Sequence, residues 1–311
     1  MKSIIITGAT GGIGFECAMQ IAKIAPNEQI VIACRNQKSG NEAIQNIKQK
    51  TRHKNIISMP LDLESLQSVR EFIKQFSTQP HNKIIALINN AGIQNVAEKK
   101  LTKEGFESTF GINHVAPFYL TLLLLPLMDS NASITFTASG THDPKQKTGM
   151  PAPIFKSAKE LAYPTPTAEK LLTAGQRRYT TSKLNNILTV YELQRKLSNT
   201  DIRVNAFDPG LVPGTGLART YSPFLRFVSN NVFPLLRFFI PNVNTAKNSG
   251  KRLANLAYSD SYKNAKGKYF EGIKEIKSST DSYNVEYQDT LWTSTIDLLD
   301  IKQNETSVSL V

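Results

Sequence analysis

Short runs of Ile, Val, Leu and Ala recur along the chain, each followed by a longer stretch whose apolar residues fall three and four positions apart. The runs Ser3–Thr7, Gln29–Cys34, Asn55–Pro60, Lys83–Asn89, Ala132–Ala138, Asp201–Phe207 and Gly267–Phe270 have strand length. Most are continuously apolar rather than alternating, which predicts parallel strands covered on both faces. Helical spacing marks residues 12–25, 37–51, 63–78, 102–128, 178–198 and 244–258. The alternation predicts an α/β fold: one doubly wound, seven-stranded parallel sheet with helices on both faces. Right-handed crossovers then bring the C-terminal ends of all strands to one rim, where ligands bind in such sheets.

Three stretches depart from the rhythm. Residues 140–177 are rich in Pro, Lys and Thr and follow a strand directly, as an insertion does. Residues 216–243 mix Phe224, Phe227, Phe233, Phe238 and Phe239 with Arg219, Arg226 and Arg237 and contain no acidic residue. That mixture suits a lid over a large apolar substrate, an element packed on the domain, or an amphipathic contact with an anionic membrane surface. Residues 273–311 read as a C-terminal tail with a helix around Leu291–Ile301. Residues 1–272, insertion and lid included, form one nucleotide-binding domain in this reading.

Composition narrows the classes. An apolar fraction of 40% and a charged fraction of 20% are those of a globular protein. The two cysteines, Cys17 and Cys34, make no disulfide framework, so a reducing, cytoplasmic setting is expected. Met1-Lys2 runs straight into the first strand, unlike a signal peptide, and no stretch is read as approaching the roughly 20 apolar residues that span a bilayer. The net charge of +12 is spread over dispersed Lys and Arg, which argues against nucleic acid and for solubility together with an anionic ligand. The same charge would assist a weak membrane-surface contact through 216–243. Oligomeric state is open, and with four histidines there is no metal-ligand spacing. His114 and His142 read as local structure.

The candidate chemistry sits at the strand ends. The first strand runs into Thr7-Gly-Ala-Thr-Gly-Gly-Ile-Gly14. Gly8, Gly12 and Gly14 allow a tight turn and close backbone approach, with Thr10 and Ile13 between them, and the following helix offers free N–H groups to a phosphate. After the second strand stands Arg35, with Asn36 beside it, where a carboxylate would bind an unphosphorylated ribose. A guanidinium pairs with a 2′-phosphate, so the expected cofactor is NADPH/NADP+, the alternative being a solvated surface arginine. Asp62 and Leu63 follow the third strand; Asp62 accepts from an adenine amino group, caps a helix starting at Leu63 or Glu64, or does both. Asn89 and Asn90 fix loop backbone, and Ala91 and Gly92 admit a ligand.

Tyr179 and Lys183 are spaced i and i+4 at the start of a predicted helix and so share a face. Reduction of a carbonyl leaves an alkoxide that must gain a proton, and a phenol serves if a nearby ammonium lowers its pKa from about 10. Taken alone, this spacing also arises by chance. Ser139 ends the fifth strand, where its hydroxyl can reach a substrate oxygen or merely form a turn. Asn113 interrupts a helical pattern and could open the backbone there to a relay water, or be a tolerated surface residue. Pro209 and Gly210 turn the chain out of the sixth strand, which would set the Val212 backbone against a carboxamide and Thr215 near phosphates.

In order and rough spacing these motifs resemble the short-chain dehydrogenase/reductase family over residues 1–272, and within it the retinol-dehydrogenase and light-dependent protochlorophyllide-reductase branch. The resemblance implies a Rossmann fold and a catalytic tetrad at Asn113, Ser139, Tyr179 and Lys183. It also implies an NADP-dependent oxidoreductase that transfers hydride between NADP(H) and a carbonyl or alcohol of a small apolar substrate. The alternatives are reduction of a carbon–carbon double bond, as in the protochlorophyllide branch, and a non-catalytic NADPH-binding scaffold. Asn185 stands where protochlorophyllide reductases commonly carry cysteine, and Thr215 falls one residue later than in many members. A nucleotide-sugar epimerase also carries the Tyr/Lys spacing, but the glycine spacing argues against it.

Overall fold

The computed structural model describes residues 2–79, 83–97, 99–214 and 243–310. Among these, eight strands form one sheet: β1 (Lys2–Thr7), β2 (Gln29–Cys34), β3 (Ile56–Pro60), β4 (Lys83–Asn89), β5 (Met128–Thr137), β6 (Arg203–Asp208), β7 (Lys268–Glu271) and β8 (Lys274–Glu275). Their order is β3-β2-β1-β4-β5-β6-β7-β8. The first seven are parallel, as expected; β8 corrects the strand count, pairing antiparallel through Phe270–Glu275 and Glu271–Lys274. Gly272, at φ +61°, lets the chain reverse there. A two-residue polar edge strand carries no apolar run and leaves no periodic signal.

Period-2 alternation within continuously apolar strands feeds two cores. Ile4, Ile6, Ile30 and Ile32 pack with Cys17, Ile21, Ile47 and Leu253, which belong to α1 (Gly12–Ile24), α2 (Gln37–Thr51) and α8 (Ala246–Tyr258). Their neighbours Ile5, Val31 and Leu87 point to the opposite face, into a cluster with Phe72, Phe118, Ile187 and Trp292. That face is covered by α3 (Leu66–Ser77), α5 (Ala116–Leu124), α7 (Leu171–Lys196) and α9 (Val285–Leu299). Each fully buried isoleucine contributes roughly 1.5–3 kcal/mol, so both layers are required.

Several boundaries differ from the sequence reading. Helix α7 begins at Leu171 rather than near 178, which places Tyr179 two turns inside it. Gly175 lies in the added turns: a Cβ there would lie 2.5 Å from the Asn95 carbonyl oxygen and the Val96 Cα, so the glycine permits helix and loop to touch. The insertion thus ends before 171 and holds a 3₁₀ turn, Gly140–His142, and one short α-helix, α6 (Ala158–Ala162). Helix α3 starts at Leu66, and its cap is Ser65, whose Oγ accepts from the Ser68 amide at 3.2 Å, not Asp62. The helical run Ser108–Leu127, 20 residues long, is apolar enough to cross a membrane, correcting the expectation that no stretch approaches this; its most apolar 18-residue window is 89% buried in the protein as core.

The C-terminal segment joins the main core. Trp292 is 1% exposed and meets Phe118 edge-on at 5.1 Å. Phe155 of the insertion stacks on Tyr287 at 3.8 Å, and the Ala158 amide donates to Ser294 Oγ at 3.0 Å. Thr215 and the lid up to residue 242 lie outside the described residues; Val243, the last of the lid, bridges to Leu211.

Candidate active site

The order of the sheet sets β1 beside β4, with Ile6 opposite Ile88, so the turns that follow both strands share one rim. The Thr7 hydroxyl oxygen accepts from the Asn90 and Ala91 amides, each at 3.0 Å. Asn90 Nδ2 donates in return to the carbonyl oxygens of Thr7 (3.0 Å) and Gly8 (3.3 Å). Gly8 (φ +67°) and Gly12 (φ +56°) occupy the left-handed region, and a Cβ on Gly8 would lie 2.9 Å from the Ala91 Cα. Helix α1 starts at once, with Gly11 as N-cap and no side-chain cap. Its first N–H groups therefore lack an intrahelical or capping acceptor and favour an anion. A Cβ on Gly14 would stand 2.4 Å from both the Gly8 oxygen and Asn90 Nδ2. Gly14→Ala is expected to cost roughly 1–3 kcal/mol through overpacking, seen as a lower melting temperature.

These turns border a cleft of about 410 Å³. Gly8, Thr10, Gly12, Ile13 and Gly14 line one side, and Arg35, Asp62 and Leu63 line its outer end. Asn90, Ala91, Gly92 and Pro209 line the centre, and Tyr179 and Lys183 close the inner end. Of the expected cofactor set, Asn36, Gly210 and Val212 lie off this lining. Asn36 instead caps α2, its Oδ1 accepting from the Ser39 amide at 3.0 Å. Asp62 Oδ1 accepts from the Glu64 amide at 3.1 Å, holding the turn before α3. Arg35 is engaged as well: its Nη1 lies 2.8 Å from Glu64 Oε1.

At the inner end Lys183 is 4% exposed, and its ammonium donates to the Thr137 carbonyl oxygen at 2.8 Å. Its Nζ lies 5.5 Å from the Tyr179 ring centroid. Burial pulls its pKa down to about 8, while the Asp208 carboxylate opposes that fall. Asn113 sits in a π-helical turn, Gly111–Val115, the mid-helix irregularity expected of it. Its Oδ1 accepts from the Ile93 amide at 2.7 Å, and its Nδ2 donates to the Ile93 oxygen (2.8 Å) and Ser182 Oγ (3.0 Å). A Cβ on Gly92 would press on Asn113 Oδ1 at 3.3 Å and touch Lys183 Nζ at 3.7 Å, so Gly92 borders both side chains. Ser139 caps a short 3₁₀ turn through its Oγ, which accepts from the Thr141 amide at 3.3 Å; neither it nor Asn113 lines the cleft.

Four further residues organise the site, Asp208, Glu107 and Ser182 at this end and Glu64 at the outer one, and the sequence reading overlooked them. Asp208, buried and with its pKa raised by desolvation, accepts from the Gly210 amide (2.8 Å) and the Tyr269 hydroxyl (3.1 Å). Glu107 is buried, accepts from the Thr109 and Phe110 amides of α4 (Ser108–Phe110), and pairs with Arg178 at 3.3 Å, which ties α7 to the short helix that leads into the π-turn. Ser182 links Asn113 to the Tyr179 carbonyl oxygen, to which it donates at 2.7 Å. Glu64 stood in view in the Leu61-Asp-Leu-Glu-Ser65 run but carries no motif of its own. His142 proves structural, as expected: its Nε2 accepts from the Ser279 amide at 2.9 Å, which leaves Nδ1–H to donate to the Ser139 oxygen at 2.7 Å.

Residues 2–151 match the family model described as short chain dehydrogenase, and residues 217–308 match a model described as AcuH dehydrogenase domain. Human retinol dehydrogenase 12 is 30% identical over 303 residues, covering 97% of this chain and 87% of that protein. Among solved structures, an uncharacterised protein of Mycobacterium paratuberculosis superposes with a TM-score of 0.68 at 24% identity, covering 96% of this chain and 94% of its own. A short chain dehydrogenase of Shigella flexneri 2a, complexed with NADP, gives a TM-score of 0.62 at 20% identity, covering 88% and 97%. Similarity that runs nearly the full length of both chains makes this protein a member of the short-chain dehydrogenase/reductase family of oxidoreductases, in its retinol-dehydrogenase branch.

Proposed function

We propose that the chain is an NADPH-dependent reductase or dehydrogenase acting on a carbonyl or alcohol of an apolar substrate, with Asn113, Ser139, Tyr179 and Lys183 as its catalytic set. The observation that carries this reading is the buried Lys183 ammonium at the closed end of the glycine-lined cleft, in contact with the Tyr179 ring. The cleft fits a dinucleotide. Gly8 and Gly14 stand where a Cβ would collide, and the α1 N-terminus keeps unclaimed donors for a pyrophosphate. Arg35 would hold the 2′-phosphate, Asp62 the adenine, Lys183 the nicotinamide ribose, and Thr215 a phosphate. The NADP in the Shigella flexneri neighbour supports that choice.

Bound NADPH would supply the hydride. The chain's own work is to move a proton and to fix geometry. Tyr179 gives its hydroxyl proton to the substrate oxygen as negative charge develops there. Lys183, while charged, lowers the cost of the phenolate that Tyr179 leaves behind. Ser139 Oγ, released from the Thr141 amide, donates to the same substrate oxygen and holds it near the phenol. Asn113, tied to Ile93 and Ser182, keeps the π-turn open beside Lys183.

The test is NADPH consumption across a panel of aldehydes, ketones and retinoids, with and without light. Turnover of a carbonyl substrate in the dark is the expected result, and NADPH binding without turnover anywhere in the panel points to a scaffold instead. Arg35→Gln is expected to weaken NADPH binding by roughly tenfold or more, the scale of a hydrogen bond to a charged group, and to leave NADH nearly unchanged. Equal loss for both cofactors removes Arg35 from this role.

A further inference from the structure

The outer end of the cleft is not the plainly cationic pocket that a phosphate dianion favours. Among the described lining residues the cations are Arg35 and Lys183, and Lys183 lies at the other end. Asp62 and Glu64 line the same end as Arg35, so carboxylates outnumber guanidinium there. Glu64 Oε1 stands 2.8 Å from Arg35 Nη1, on side chains 43% and 61% exposed. The Glu64 backbone is fixed on both sides, its amide donating to Asp62 Oδ1 at 3.1 Å and its carbonyl accepting from the Lys103 amide at 2.9 Å. Glu64 is thus held at Arg35 rather than placed there by a mobile loop.

We infer that Glu64 is a specificity-determining residue that competes with the cofactor's 2′-phosphate for Arg35 and makes the protein accept NADH as well as NADPH. The inference rests on the proposed role of Arg35. A 2′-phosphate carries close to two negative charges at neutral pH. To pair with Arg35 it must displace the carboxylate or share the guanidinium with it, and the two anions repel each other. An unphosphorylated ribose makes the opposite demand, since its 2′-hydroxyl is a donor that seeks an acceptor. The Glu64 carboxylate is such an acceptor, and Arg35 can stay paired to it while the hydroxyl binds. Both side chains are solvent-exposed, so the effect is screened and graded: a modest preference for NADPH.

The experiment is direct binding by titration of NADPH, NADH, 2′,5′-ADP and 5′-AMP to the wild type, Glu64→Gln, Glu64→Ala and Arg35→Gln. In the wild type the NADPH and NADH constants are expected within about tenfold of each other. Glu64→Gln removes the charge and keeps the shape; it should tighten NADPH and 2′,5′-ADP by about three- to tenfold and leave NADH and 5′-AMP equal or weaker. Raising salt from 0.05 to 0.5 M should shrink that gain. If Arg35→Gln weakens NADPH while both Glu64 variants leave all four constants within twofold, Glu64 is a surface ion-pair partner only and the inference fails alone. If Arg35→Gln changes nothing, the Arg35 reading fails first and takes the inference with it. Weaker NADPH binding in Glu64→Gln would show that the carboxylate orients Arg35 for the phosphate, and that too overturns the inference.

Discussion

Replacing Tyr179 with phenylalanine is expected to cut turnover by roughly 10² or more, the span of general acid catalysis, while dinucleotide affinity stays within about threefold, as uniform binding contacts are kept. The substitution removes one oxygen and its proton. The ring is 7% exposed and remains in contact with Lys183, so packing and the cation–ring contact survive. Ser182 bonds the Tyr179 backbone oxygen, not its hydroxyl, and its link to Asn113 is unaffected. Turnover and binding should therefore separate: kcat collapses, the dissociation constant measured by NADPH fluorescence does not. Near-normal turnover in this variant would falsify the assignment of Tyr179 as proton donor.

The second large effect belongs to Lys183, and it runs in opposite directions for activity and stability. Lys183→Met should lower turnover by roughly 10² or more and weaken cofactor binding, yet raise the melting temperature of the ligand-free protein at pH 7. Burial drops the lysine pKa from 10.5 to about 8, a cost on the order of 3 kcal/mol for holding the charge in the fold. The sign follows from proton binding. Below about pH 8 the residue is charged in both folded and unfolded chains, and the full cost is present. Between about 8 and 10.5 the unfolded chain binds more protons, so wild-type stability rises with pH and the advantage of methionine shrinks. Above 10.5 the ionisation cost is gone. The Thr137 oxygen keeps a second donor in Asn186 Nδ2 at 3.4 Å, so the variant leaves no orphaned carbonyl. Wild-type turnover should also decline as pH rises through about 8, because a neutral amine no longer favours the phenolate. Thermal unfolding of wild type and variant at pH 7 and 10 checks the claim; an unchanged difference between the two pH values would sink it.

Periodicity alone makes most of the sheet legible. The bounds of β2 and β4, Gln29–Cys34 and Lys83–Asn89, are legible because a strand covered on both faces is apolar throughout its interior, as Ile30–Ala33 and Ile84–Ile88 are. The glycine array was equally plain, since its need is local: left-handed φ at Gly8 and Gly12 and no room for a Cβ at Gly14. The spacing of Tyr179 and Lys183 guaranteed a shared helix face wherever that helix began.

What the chain could not reveal in advance depends on partners distant in sequence. Residues 171–177 read as the end of an insertion rich in Pro, Lys and Thr, yet they form the first turns of α7, where Gly175 gains its purpose only against the loop at Asn95, 2.5 Å from where its Cβ would be. Glu64 has no meaning without Arg35, 29 residues before it, and Asn113 gains its place only against Ile93 and Ser182. Helical and strand periods are properties of adjacent residues, which the sequence by itself determines. Which carboxylate meets which guanidinium, and how deeply an ammonium is buried, follow from the packing of whole elements, and only the tertiary structure decided them.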